Sequence, residues 1–248
     1  RRRHTRFRNV TGVQTCALPI CTTALEIDEG LRAHMSSVYG IMSAGMATTG
    51  IVAYLTGQND ALLATLFTGG LRWAVMFAPL IMVFFLGSMI NRLSQTGARL
   101  AFITFSALMG LSISWIFAVY TGISITQTFF TTAIAFGGLS LYGYTTKRDI
   151  SGWGSFLIMG VIGLIVASIL NIWMASSAMT FAISVIGLLI FAGLTAYDTQ
   201  KIKNTYIAMA SNGQTDWLGK AAIMGALSLY LDFLNMFMFL LHFMGGRE

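Results

Sequence analysis

Seven stretches of apolar residues, each close to twenty long and separated by short polar turns, dominate what this chain can become. They run over residues 35–55, 73–90, 100–120, 123–144, 153–173, 178–197 and 221–243. Each approaches the roughly 20 residues that carry an α-helix across a bilayer. Only 10% of the 248 residues are charged, whereas a soluble domain has about 25%. The expectation is an all-α membrane protein with seven transmembrane helices in one bundle, and no linker suggests a second domain. The fourth stretch is the least hydrophobic of the seven, with several threonines.

The opening differs in composition from everything after it. Five of the fifteen basic residues fall in the first eight positions, and both cysteines, Cys16 and Cys21, lie within the first 21. Beyond residue 21 the balance is 10 basic against 9 acidic residues, so five of the six net positive charges belong to the opening. Residues 10–20, VTGVQTCALPI, read as the translation of a common sequencing-adapter oligonucleotide. Residues 1–21 are therefore expected to be a non-native, adapter-derived segment, and residues 22–248 the single transmembrane domain. On that reading the arginines do not make an arm for nucleic acid or anionic lipid. The cysteines likewise say nothing of redox compartment.

Turn charges set an expected orientation, because short loops rich in Lys and Arg stay in the cytoplasm. One side carries Arg32, Arg92, Arg99, Lys147, Arg148, Lys201, Lys203 and Lys220, and the other carries Arg72. This predicts a cytoplasmic N-terminus and, with seven spans, a C-terminus outside. Trp73, Trp153, Trp173 and Trp217 fall at segment ends, where interfacial anchors belong. Small residues such as Gly160 with Gly163 and Ala192 with Ala196 recur at helix-packing spacing. A faint internal echo joins GLSLYGYTTK, from Gly138, to GLTAYDTQK, from Gly193. In that alignment Gly143 stands where the second copy has Asp198.

Two acids interrupt the apolar runs. Asp198 ends the sixth, and Asp232 lies well inside the seventh. A charged side chain at the bilayer centre costs about 2.5–3.5 kcal/mol on insertion scales, so such an acid is a functional hypothesis by default. With the seventh run drawn as a helix, Gly225, Ser228, Asp232, Asn235 and His242 fall along one stripe of an otherwise apolar surface. A helix of that kind belongs at the centre of a bundle. Thr195 shares a face with Asp198, and Tyr197 precedes it. If the two carboxyl groups approach, they titrate as a unit and can act as a pH sensor. When both are ionised they form an oxygen-rich site suited to weak, transient Ca²⁺.

An arginine at the right depth can compete for Asp198, and Arg92 is the best placed. Depth also poses a difficulty. At about 1.5 Å per residue, Asp198 is close to Lys201 and Lys203 whereas Asp232 is deep. The acids meet only if the seventh helix starts well below the membrane or the sixth continues past Lys203. His242 reads as interfacial, and Asp149 and Asp216 as ordinary turn charges. No His/Cys ligand cluster, no nucleophile with a base at motif spacing and no phosphate-binding glycine loop is present, so neither an enzyme nor a resident cofactor is expected.

FAGLTAYDTQKIK followed by ALSLYLDFLNMF resembles the signature of the Bax inhibitor-1 family of membrane proteins, in its bacterial branch, and the likeness covers residues 25–246. The resemblance implies seven helices with the last one central, wrapped by the other six. It also implies a pH-sensitive calcium leak, with an aspartate dyad as sensor and an arginine latch. The dyad falls on Asp198 and Asp232, and the latch on Arg92, in a turn that has one arginine where a cluster would be unambiguous. Ser228, Asn235, Thr195 and Tyr197 are the supporting polar residues. Expected partners are the lipid bilayer, Ca²⁺ and protons in a bacterial inner membrane, with no nucleic acid. The alternative is a non-transporting regulator that binds a membrane protease or another membrane protein.

Overall fold

The computed structural model describes residues 19–212 and 217–246, with side chains from residue 27 onward. Within these residues the chain is helical, in the order α1 (Pro19–Gly57), α2 (Asp60–Phe67), α3 (Leu71–Met89), α4 (Gln95–Ile113), α5 (Ile116–Val119), α6 (Gly122–Thr145), α7 (Trp153–Met174), α8 (Ser177–Ser211) and α9 (Leu218–Met244). The segment expected to be adapter-derived lies outside the described residues, apart from the start of α1.

Among the described residues six helices are long and apolar enough to cross a membrane. They correspond to six of the seven expected spans, the third of which continues from α4 through α5 with a jog at Ser114, whose N–H donates to Leu111 O. The seventh expectation, α6, has the length at 24 residues but not the apolarity. Its threonines, Thr126, Thr128, Thr131 and Thr132, dilute the run. Each of Thr126, Thr131 and Thr132 returns its hydroxyl to a carbonyl one turn back, which satisfies it inside a helix. The short helix α2, capped by the Asn59 side chain at Leu62 N–H, was not expected in the first turn.

Burial separates the helices by role. Of the apolar stretch of α9, 67% is buried inside the protein, against 33% at most for the other five spans. α9 packs against α8, α1, α6 and α4. Tyr230 at its middle is fully buried among Phe102 and Phe105, with ring centroids 5.6 Å away in both cases. Its hydroxyl meets Thr49 Oγ1 at 2.6 Å, and Thr49 in turn donates to Ser106 O. In contrast α3 and α7 bury only 11% of their apolar stretch, and Phe84, Phe156 and Ile172 on them face outward.

Lipid tails are as apolar as leucine, so close backbone approach rather than water exclusion must hold such a bundle. Two glycines provide it. A Cβ on Gly110 of α4 would stand 2.7 Å from Thr49 O of α1. One on Gly143 of α6 would overlap the Ala196 carbonyl oxygen of α8 and lie 3.0 Å from its Cα. The sequence echo thus has a packing counterpart: Gly143, the glycine aligned with Asp198, is where α6 touches the backbone of the helix that bears the acid.

Candidate functional site

α8 resolves the depth difficulty. The hydropathy signal stops at the lysines, but the helix continues to Ser211. Asp198 therefore sits in the middle of a 35-residue helix rather than near its end. α9 crosses α8 along much of this length, and Ser228 and Asp232, one turn apart on α9, both face it. Ser228 lines the same cavity as Asp198, and Asp198 and Asp232 lie within electrostatic reach of each other.

The two acids occupy different surroundings. Asp198 is half-buried and lines a cavity of about 240 Å³. The cavity runs from Trp217 and Thr205, at the end of the bundle with the basic turns, down to Asp198 and Ser228. Asp232 is not part of the lining. It lies one turn deeper on α9, 4% exposed, and its Oδ2 has no hydrogen-bond partner among the described residues. A buried polar atom left unpaired costs about 1–3 kcal/mol, and packing alone gives no reason to keep one.

Beyond the acids α8 and α9 meet through apolar and sulfur groups. Thr195, fully buried, donates to Phe191 O and meets the sulfur of Met236 at 3.4 Å. Below this layer the Phe191 and Phe239 rings lie 5.9 Å apart. Asn235 donates to Leu231 O of its own helix, so it stands on the expected stripe but serves the backbone there.

Some expected residues fall elsewhere. Tyr197 points away from the acids, because neighbouring residues on a helix are turned by about 100° from one another. A Cβ on Gly154 of α7 would meet its ring, and Lys201 Nζ lies 6.0 Å from the ring centroid. Arg92 is exposed in the turn after α3 and forms no ion pair with Asp198. The cation that acts on Asp198 is Lys201, three residues along the same helix. The Arg92 turn is instead tied to α9, where Lys220 Nζ donates to Asn91 O at 3.2 Å. His242 is exposed near the end of α9, with Nδ1 2.6 Å from Met238 O and its ring beside Trp115 and Tyr120.

One residue of the cavity was missed. His34 is buried and lines the same cavity as Asp198, its ring tilted 36° against that of Tyr206 with centroids 4.9 Å apart. It lies just before the first apolar stretch. Its burial follows from the extension of α8 past Lys203, which brings Tyr206 over it.

The architecture defines a multi-pass helical membrane protein with two interacting carboxyl groups at the inner end of a one-sided cavity. Residues 31–248 match the profile of the family described as "Inhibitor of apoptosis-promoting Bax1". The chain belongs to this Bax inhibitor-1 family. It is 45% identical over 241 residues to an uncharacterized protein of Caulobacter vibrioides, covering 94% of this chain and 96% of that one. It is also 45% identical over 220 residues to the inner membrane protein YbhL of Escherichia coli strain K12, covering 88% and 94%. A third relative, an uncharacterized protein of Rickettsia prowazekii, is 43% identical over 223 residues, covering 89% and 92%.

Proposed function

We propose that this protein is a pH-sensitive calcium leak of the bacterial inner membrane, gated by protons shared between Asp198 and Asp232. The observation that carries the reading is the buried, unpartnered Oδ2 of Asp232 directly behind the cavity-lining Asp198. The inner-membrane assignment leans on the name of the Escherichia coli relative. In this reading α6 is the seventh span, since its hydroxyls are satisfied within the helix, and α9 is the central helix wrapped by the other six. The basic turns then face the cytoplasm, with the N-terminus on that side and the C-terminus outside.

The residues would act as follows. With both acids ionised, four carboxylate oxygens and the Ser228 hydroxyl attract a hard divalent cation. These are too few to store it, which suits passage. Lys201 holds part of the Asp198 charge, and Arg92 is the latch candidate should the turn after α3 swing inward. Protonation as the pH falls removes charge from the pair, weakens the hold of these cations on Asp198, and releases α8 from α9 at the layer of Met236, Phe191 and Phe239.

The test is calcium entry into proteoliposomes loaded with a fluorescent indicator, from neutral to acid pH. Wild type is expected to pass Ca²⁺ with a defined pH midpoint, which Asp232→Asn displaces and Asp198→Asn displaces or abolishes. Flux with an unaltered pH profile in both variants would discard the gate. A wild type that passes nothing at any pH would leave the regulator reading, to be pursued by co-purification of a membrane protease.

A further inference from the structure

A second concavity lies on the flank of the bundle, between α1 and α6, away from the aspartates. Its volume is about 740 Å³, within the roughly 300–1,000 Å³ of small-molecule sites. Two features of sequence create it. Gly137 of α6 stands in the wall, and a Cβ there would meet nothing within 4 Å. The facing residues of α1, Met35 and Tyr39, turn inward, so the wall has no bulk to close the gap.

The lining changes in character with depth. At the end shared with the basic turns stand Arg32, exposed Ser36 and Tyr144. Midway, Tyr39 OH and Ser140 Oγ bond each other at 2.6 Å, and Ser140 continues to Thr199 at 3.0 Å. The Tyr39 and Ser140 hydroxyls are thus satisfied by one another and by Thr199. Further in, the groove is floored by Phe136 and flanked by the open position of Gly137. From Arg32 to Tyr39 the groove is about 10 Å long at 1.5 Å per residue, too short to seat a partner helix along more than two turns.

The charged residue of the lining is Arg32. Arg32 pairs with Asp28 at 3.1 Å, but the two side chains are 74% and 54% exposed, and such pairs hold weakly. A guanidinium carries five N–H donors, so most of its capacity is free. Lys203 Nζ stands 5.4 Å from the Tyr144 ring centroid and donates to Tyr144 O. A cationic mouth, a satisfied waist and an apolar floor match, in that order, the phosphate, glycerol and acyl parts of a lipid.

We propose that the groove between α1 and α6 binds one anionic phospholipid from the leaflet on the side of the basic turns, its phosphate at Arg32 and an acyl chain over Gly137. The purified full chain in detergent, given phosphatidylglycerol or phosphatidylcholine and read by native mass spectrometry, tests this. Wild type is expected to retain one phosphatidylglycerol in preference to phosphatidylcholine. Arg32→Gln should cut that preference about fivefold, the effect of one arginine near an anionic surface. Gly137→Phe should remove the bound lipid, whereas Gly138→Phe, with the same bulk outside the groove, should keep it. Equal retention of the two lipids by wild type, or full retention by Gly137→Phe, overturns the proposal. So does a change in dimer population in place of lipid loss, which assigns the groove to a second copy. Should Gly137→Phe not fold, Arg32→Gln decides alone: an unchanged preference refutes the site.

Discussion

Consider the same substitution made at two glycines of α6, five residues apart. Gly→Ala in a helix interior gains about 0.5–1 kcal/mol from backbone entropy, and Gly138→Ala should show that gain, since its new methyl meets nothing within 4 Å. Gly143→Ala carries the same gain but places its methyl on the Ala196 backbone, with the Cα 3.0 Å away. Backbone cannot rotate aside as a side chain does, so α6 and α8 must part. Overpacking of this kind costs about 1–3 kcal/mol, which should then separate the two variants. At about 2–4 °C per kcal/mol for a chain of this size, their thermal midpoints should differ by roughly 2–12 °C, with Gly143→Ala the lower. Tryptophan fluorescence of detergent-purified protein during a heating ramp gives the midpoints. If the variants melt together, close backbone contact is not what holds α6 to α8. Asp198 is two residues from the contact, so Gly143→Ala should also alter the pH response of calcium flux, whereas Gly138→Ala should not.

Three further outcomes follow from particular contacts. Thr49→Val keeps the shape but takes one partner from the Tyr230 hydroxyl inside the core, which should cost about 0.5–1.5 kcal/mol, read as a lowered thermal midpoint. Asp149, in the turn after α6, accepts from Ser151, and these hydrogen bonds hold its carboxyl below its ordinary value. A depressed carboxyl contributes stability above its unfolded pKa and loses it as the pH falls through the folded one. Asp149→Ala should therefore melt below wild type at neutral pH, by a margin that shrinks in strong acid. Lys203→Met removes the 2.8 Å bond that covers the last turn of α6 at Tyr144 O; amide exchange in residues 142–146 should quicken while that in α9 stays unchanged.

Much of this molecule is legible from residue order. The apolar runs locate α1, α3, α4, α7, α8 and α9 because in a bilayer length and apolarity are what a span requires. The stripe through Ser228 and Asp232 points to the buried helix, since a polar face must avoid lipid. Hydropathy fails where the requirement is different. It ends the sixth run at the lysines, but α8 continues to Ser211 because tertiary partners support it: Gln200 bonds Arg148 O and Ile150 N–H of the α6–α7 turn. That extension brings the two acids together and buries His34, and no apolar signal reports it. α6 shows the converse, a helix whose threonines lower its apolarity while bonding their own backbone. Depth along the chain favours Arg92, but the Lys220 bond to Asn91 O sets where its turn lies. Adjacency favours Tyr197, but adjacent helical positions face different ways.

The 35 residues of α8 form a rod of about 52 Å, with Asp198 some two thirds of the way along. Its outer third stands clear of the apolar run and is clasped to the α6–α7 turn by Gln200 and to the last turn of α6 by Lys203. Asp198, two residues beyond the Gly143–Ala196 crossing, lies on the same arm as these clasps, so a displacement of that arm would carry with it the carboxyl that faces α9.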